Sequence, residues 1–210
     1  MKKNNRRGVI LVISSPSGAG KTTICKQIIE KVDGVCLSVS VTTRKKRQSE
    51  VEGKDYFFEN KKNFLHMVKN NKFIENAKVF GNHYGTLKDE VLKKIEDGID
   101  VLVDIDWQGT QQLAEHVGSD LVRVFILPPS TRELERRLRS RAQDPVSVVD
   151  NRMAKAMDEI SHYPEYDYII VNTVLEESIS NLRAILTSER LKRRRQIGLT
   201  DFVKKLRERC

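Results

Sequence analysis

The chain has 210 residues, 39% hydrophobic and 32% charged, and carries a net charge of +9. That is room for one sizeable core with an inserted part, or for two small domains, and a mean hydropathy of −0.49 describes a soluble globular protein. Three scattered cysteines (Cys25, Cys36, Cys210) and four scattered histidines (His66, His83, His116, His162) exclude a disulfide framework, a CxxC site and an HExxH site. The basic balance suits a polyanionic partner, but nucleotides and nucleic acids both qualify, so charge alone does not choose.

The chain opens on Met1-Lys2-Lys3-Asn4-Asn5-Arg6-Arg7. A basic head of this kind can start a signal peptide, but the apolar run behind it, Val9-Ile10-Leu11-Val12-Ile13, is too short for a secretory core. The head reads as a disordered, solvated tail. No stretch approaches the length of a membrane span, so a cytoplasmic protein with no membrane partner is expected.

The apolar run reads as a buried strand. Ser15-Pro16-Ser17-Gly18-Ala19-Gly20-Lys21-Thr22 follows, and a helix from about Thr22 to Val32 comes next. Strand, glycine-rich turn and helix in that order make a phosphate-binding loop. Glycines let successive N–H groups turn inward on anionic oxygens, and the helix adds the positive end of its dipole. Contacts to a nucleoside triphosphate are expected from Ser15, Pro16, Ser17, Gly18, Ala19, Gly20, Lys21, Thr22 and Thr23. Lys21 reaches the terminal phosphates, and the Thr22 hydroxyl suits Mg²⁺. The usual pattern opens with glycine where this chain has Ser15, which would have to take any unusual backbone conformation there without glycine's freedom.

Next comes a strand-like run, Val35 to Val41, and a basic run, Arg44-Lys45-Lys46-Arg47. Tyr56-Phe57-Phe58 is strand-like, Lys61 to Asn70 helical, and Phe73 to Phe80 extended up to a turn at Gly81-Asn82. Tyr84-Gly85-Thr86 is extended, and Leu87 to Glu96 is a helix closed by Gly98. Residues of about 38–97 therefore form an insertion of short strands.

The α/β rhythm then returns. Val101 to Asp106, Val122 to Leu127 and Tyr168 to Val171 read as buried strands. Ser130 with Glu133, and Thr173 with Glu176, have capping-box spacing, the second pair opening a long helix to about Arg195. The run Arg190 to Arg195 is read as a solvated helix face; no aromatic residues interleave it to stack on bases, and no nucleic-acid partner is expected. Alternating strands and helices predict a mostly parallel sheet with ligands beyond the carboxyl ends of its strands. The loop, Asp104, Asp106 and Asn172 fall at such ends.

Several motifs in one order then carry a resemblance. They are Ser40-Val41-Thr42-Thr43-Arg44-Lys45-Lys46-Arg47, Glu52-Gly53-Lys54-Asp55-Tyr56-Phe57-Phe58, Glu75, Gly81-Asn82-His83-Tyr84-Gly85-Thr86 and Asp104-Ile105-Asp106-Trp107-Gln108-Gly109. In residue type and spacing they closely resemble the guanylate kinase family, from about Gly8 to Asn172. The resemblance implies an α/β P-loop NTPase core (residues 1–37 and 98–210), a GMP-binding region of short mixed strands (38–97) and a helical lid (about 137–155). It implies the reaction ATP + GMP ⇌ ADP + GDP with Mg²⁺, which makes the nucleotide at the phosphate loop ATP. Arg44, Arg47, Tyr56 and Tyr84 would grip the GMP phosphate, while Ser40, Glu75 and Thr86 would read guanine. Asp104 would hold the guanine edge or the Mg²⁺ shell, and Thr22 and Asp106 would lie at the metal. Lys21, Arg44 and the lid arginines Arg137, Arg141 and Arg152 would neutralise the transferring group, and Asn172 would lie by the adenine.

The chemistry suits these residues. Guanine offers N1–H and N2–H₂ side by side, which one carboxylate accepts, and hydroxyls donate to O6. A site built this way rejects analogues by roughly 10⁴-fold or more. Taken singly, each residue could be an ordinary surface charge, core aromatic or strand-end cap; the ordered set decides. Leu87 replaces a frequent proline, Ala142 a glycine of the lid turn and Thr173 an acid beside Asn172. Trp107 is expected to pack rather than touch substrate. The competing readings are a non-catalytic binding module, which would lack a working phosphate loop, and a P-loop enzyme acting on another nucleotide. The absence of an Asn-Lys-x-Asp motif argues against a GTPase.

Overall fold

The computed structural model describes residues 6–79, 81–141 and 146–208, with side chains left undescribed at 141 and 146–149. Five parallel strands form the main sheet in the order β2 (Val35–Leu37), β7 (Asp100–Asp104), β1 (Ile10–Ser14), β8 (Leu121–Leu127), β9 (Tyr168–Val171). β1 lies in the middle, which is why it is apolar up to Ser14 and buried along its whole length.

Alternate residues of β1 feed two cores, because successive side chains leave opposite faces of a strand. Leu11 and Ile13 pack with Ile24 and Ile28 of α1 (Lys21–Lys31) and with Leu182 and Leu186 of α7 (Leu175–Leu191). Ile10 and Val12 pack with Val91 and Ile95 of α3 (Lys88–Glu96) and Leu113 of α4 (Trp107–Val117). Ile74 joins that second core from another sheet, ordered β4 (Tyr56–Phe58), β3 (Ser40–Thr42), β6 (Asn82–Leu87), β5 (Phe73–Val79). This mixed sheet has its own small core of Val41, Phe64 and Phe73, Phe64 coming from α2 (Lys61–Lys69). Beyond β8 lie α5 (Thr131–Arg141) and α6 (Val146–Ser161), which meet through Leu134, Leu138 and Ala156.

Some expectations are corrected. The single strand Val35 to Val41 is two strands in two sheets: the chain leaves β7 after Leu37 and joins β4 and β6 at Ser40. The expected strand Val101 to Asp106 ends at Asp104, and Asp106 instead caps α4, its carboxylate accepting from Gly109 N–H at 2.9 Å. Of the two capping boxes, Ser130 does accept from Glu133 N–H at 3.1 Å, but Thr173 caps nothing. The N-cap of α7 is Val174, and the helix start is held by Ser178, whose hydroxyl donates to the Asn172 side chain at 3.0 Å.

The helix expected to run to Arg195 stops at Leu191, and α8 (Leu199–Arg207) follows a 3-10 turn. The basic run is therefore no solvated face throughout. Lys192, Arg193 and Arg194 are exposed, but Arg190 pairs with Asp100 at 2.6 Å and Arg195 is 1% exposed. Arg6 and Arg7, read as part of a disordered tail, pair with Asp100 and Asp120, each at 2.7 Å. A buried carboxylate at 0% exposure must be matched by cations, and Asp100 recruits them from two segments far apart in sequence, Arg6 and Arg190.

Candidate active site

The phosphate loop joins β1 to α1 where the sequence places it. Gly18 and Gly20 have φ of 92° and 101°, a region that side chains rarely enter. Ser15 does not; among described residues other than glycine only Asn71 has positive φ, so the serine substitution carries no strain. Gly20 caps α1 without a side-chain bond. Asn172 braces the loop from β9, donating to the Ala19 carbonyl at 2.7 Å while accepting from Ser178, so its amide is engaged by protein.

Lys21 Nζ lies 2.5 Å from Asp104 Oδ1 at the end of β7. Burial alone would lower the ammonium pKa, but the Asp104 charge and hydrogen bond outweigh it and hold Lys21 protonated. A cavity of about 280 Å³ over the loop is bordered by Ser15, Ser17, Lys21, Thr22, Asp104 and Glu159. Glu159, on α6, accepts from Ser17 N–H at 3.2 Å. No spacing in the sequence singles it out; only the fold of α6 over the loop brings it there.

On the other side of Gly18 and Gly20 a second cavity of about 310 Å³ is bordered by Thr23, Arg137, Ser140, Asn172 and Thr173. Arg137 is anchored by Glu133 at 2.7 Å and reaches the carbonyls of Ala19 at 3.4 Å and Asn172 at 3.5 Å. Arg152 lies half-buried on α6, seven residues before Glu159 and so on the same helix face. Arg141 closes α5, its side chain and Ala142 lying outside the described residues.

A third cavity, about 310 Å³, lies between the mixed sheet and the ends of the main strands. Its floor comes from register. Tyr56 pairs with Ser40, Ser40 with Thr86, and Thr86 with Glu75, one row across all four strands. The next row on that face is Phe58, Thr42, Tyr84 and Ala77. Four of the residues expected at guanosine monophosphate thus stand side by side, with Tyr84 one row away. Asp104 and Asp106 close the opposite wall.

Glu75 is 4% exposed and accepts from the Thr86 hydroxyl at 2.6 Å. Burial pushes its pKa up to about 7, with the Asp106 charge adding to the rise and the Thr86 bond opposing it. Gly109 leaves the room: a Cβ there would stand 3.1 Å from Glu75 Oε2. Arg44 lies over the Tyr56 ring, 5.3 Å from its centroid, and pairs with Glu50 at 2.6 Å. Arg47 is exposed and is not brought to the cavity.

The donors near Lys21 are oxygens: the exposed Thr22 hydroxyl, Asp104, and the Asp106 oxygen not used in capping. Hydroxyl and carboxylate oxygens fit Mg²⁺. Among the described residues no group of three or more His, Cys, Asp or Glu could hold a metal ion. Trp107 packs as expected, stacked on His162 with centroids 3.6 Å apart, which ties the start of α4 to the chain just beyond α6. A larger groove, about 910 Å³, lies along α8 and Arg193–Arg194 and contains none of these residues.

Three kinds of comparison agree. A family model described as guanylate kinase matches residues 7–189. The chain is 58% identical to a guanylate kinase of Paramagnetospirillum magneticum, over 97% of this chain and 95% of the relative. It is 57% identical to one of Rhodospirillum rubrum, over 96% and 93%. A crystal structure of guanylate kinase from Anaplasma phagocytophilum superposes with a TM-score of 0.78 at 38% identity, covering 95% of each chain.

Proposed function

The chain belongs to the guanylate kinase family and transfers the γ-phosphoryl group of ATP to GMP, giving ADP and GDP, and on that premise we propose which residues divide the work. One observation carries the assignment. Lys21, Asp104 and Glu159 border both the loop cavity and the cavity over the mixed sheet. A donor on the loop and an acceptor on the sheet would therefore meet at Lys21.

The loop from Ser15 to Thr23 holds the ATP phosphates with inward N–H groups, and Asn172 keeps it in shape from below while bordering the space for the rest of ATP. The acceptor occupies residues 38–97. Ser40, Thr86 and Glu75 read the guanine edge, and Tyr56, Tyr84 and Arg44 meet the phosphate, with Arg47 swinging in from its exposed position. An oxygen of the GMP phosphate bonds to the γ-phosphorus as the bond from that phosphorus to the β–γ bridging oxygen breaks. The attacking oxygen is already anionic, so no side chain has to remove a proton. Lys21 exchanges Asp104 for phosphate oxygens, and Arg137, Arg141 and Arg152 of the lid segment (about 137–155) neutralise charge on the moving group. Thr22 would hold Mg²⁺, with Asp106 and Asp104 facing its outer shell; when bound, the ion screens the phosphates and orients them.

No helix among the described residues is long and apolar enough to cross a membrane, and we propose that the enzyme works in the cytoplasm with nucleotides as its ligands. The test is ADP formation with ATP and each nucleoside monophosphate offered singly. Turnover is expected with GMP and near background with AMP, CMP and UMP. Folded protein that turns over no GMP would sink the reading.

A further inference from the structure

Glu50 lies between β3 and β4, in a stretch without regular structure. Its Oε1 accepts from Arg44 Nη2 at 2.6 Å. Its Oε2 accepts from Arg44 Nη1 at 3.1 Å and from the Arg47 backbone N–H at 2.8 Å. One carboxylate thus holds the side chain of the first arginine and the main chain of the second. The pair is mostly covered, the Arg44 and Glu50 side chains being 17% and 13% exposed. Held so, the guanidinium lies over Tyr56 and Phe58, 5.3 and 6.0 Å from their ring centroids, and interacts with the Tyr84 hydroxyl. Tyr56 and Tyr84 border the acceptor cavity.

We propose that Glu50 is the positioning residue of the acceptor-phosphate site: it aims Arg44 across the cavity mouth and fixes the loop that carries Arg47, so that a nucleoside monophosphate meets preset donors. The inference rests on the acceptor assignment above. An arginine side chain loses much rotational freedom when it is fixed, and a partner that fixes it beforehand removes that cost from binding. The opposite role, a counter-charge that phosphate must push aside, fits less well, because displacing Glu50 would break three contacts and release the Arg47 main chain that the site needs.

The two roles predict opposite signs. Glu50→Ala is expected to raise the KM for GMP by about tenfold or more, with the KM for ATP unchanged and kcat less affected. Glu50→Gln retains an acceptor for the Arg47 N–H and is expected to fall between wild type and Ala. Guanosine, which has the base and no phosphate, serves as the control: its inhibition constant should be the same in all three proteins. An unchanged or lower KM for GMP would overturn the proposal in favour of a displaced counter-charge. Equal weakening of guanosine and GMP would overturn it in favour of a general loosening of the sheet. Wild-type protein inactive on GMP would instead remove the acceptor assignment itself, a result read separately from the variants.

Discussion

Glu75 is a carboxylic acid whose proposed role, reading the guanine edge, requires the charge that its surroundings oppose. Burial holds its pKa near 7, whereas the donor pair of guanine calls for the carboxylate. On that proposed assignment protons and GMP compete. The KM for GMP is expected to rise as pH falls below about 7, while the KM for ATP stays level; Glu75→Gln should weaken GMP and flatten that profile. A profile unchanged by the substitution would take Glu75 out of the guanine site. The same shift bears on folding: a carboxyl whose pKa is raised in the folded state binds more protons folded than unfolded. Its contribution is thus lost as pH rises from the ordinary carboxylate range through about 7. Nucleotide-free Glu75→Gln should accordingly be more stable than wild type above pH 7 in a denaturant titration. At the loop, Lys21→Ala removes the cation shared by both cavities. Turnover should fall by roughly 10²–10³-fold, with thermal stability little changed; a loss below tenfold would contradict its place at the transferring group.

Among the elements, the mixed sheet rests on very little. Its core is Val41, Phe64 and Phe73, and Phe64 of α2 stacks on Phe73 with centroids 4.6 Å apart and on His83 at 5.3 Å. Phe64→Ala should cost about 3–5 kcal/mol locally. Amide exchange should quicken in β5 and β6 and stay slow in β1 and β8, and the KM for GMP should rise without that for ATP. Uniform quickening in both sheets would show that the two unfold as one. The α/β alternation of these elements is legible in their apolar runs. The break between β2 and β3 is not, because Val35, Val39 and Val41 recur from one strand to the next and nothing local marks a change of sheet. Nor is the missing cap at Thr173, where the side-chain bond from Ser178 to Asn172, itself held by the Ala19 carbonyl of the distant loop, took over the helix start.

In the whole molecule the segments 6–7 and 190–195 meet at the amino ends of the main strands, away from the phosphate loop. Arg6 and Arg190 close on Asp100, and Arg7 and Arg195 on Asp120. Arg195 is buried against Glu189, itself 1% exposed, and the Arg195 Nε and Glu189 Oε2 atoms are buried without a hydrogen-bond partner. Removing the cation would leave Glu189 with Lys192 at 2.6 Å and Tyr168 on its Oε1 but its buried Oε2 unmatched, and would strip the Gly8, Ser119 and Asp120 carbonyls of their donor. Arg195→Ala should therefore lower unfolding stability by about 3–5 kcal/mol, while kcat and both KM values of the folded fraction persist. A stability change under 1 kcal/mol would show that water reaches the cluster.

Read alone, the chain determined its phosphate loop and its α/β order, because each is a local pattern of apolar period or glycine placement; the acceptor residues were implied only by the resemblance of several motifs in one order. Tertiary structure alone decided the rest. Tyr56, Ser40, Thr86 and Glu75 form one row only because three strand registers agree, and register belongs to pairs of strands rather than to any one of them. Glu159 reaches the loop only because α6 packs over it, and Arg195 turned from a surface charge into a buried one because the chain folds back at the amino ends of the main strands onto Asp120 and Glu189. Such placements are set by contacts between distant segments, which no local period records.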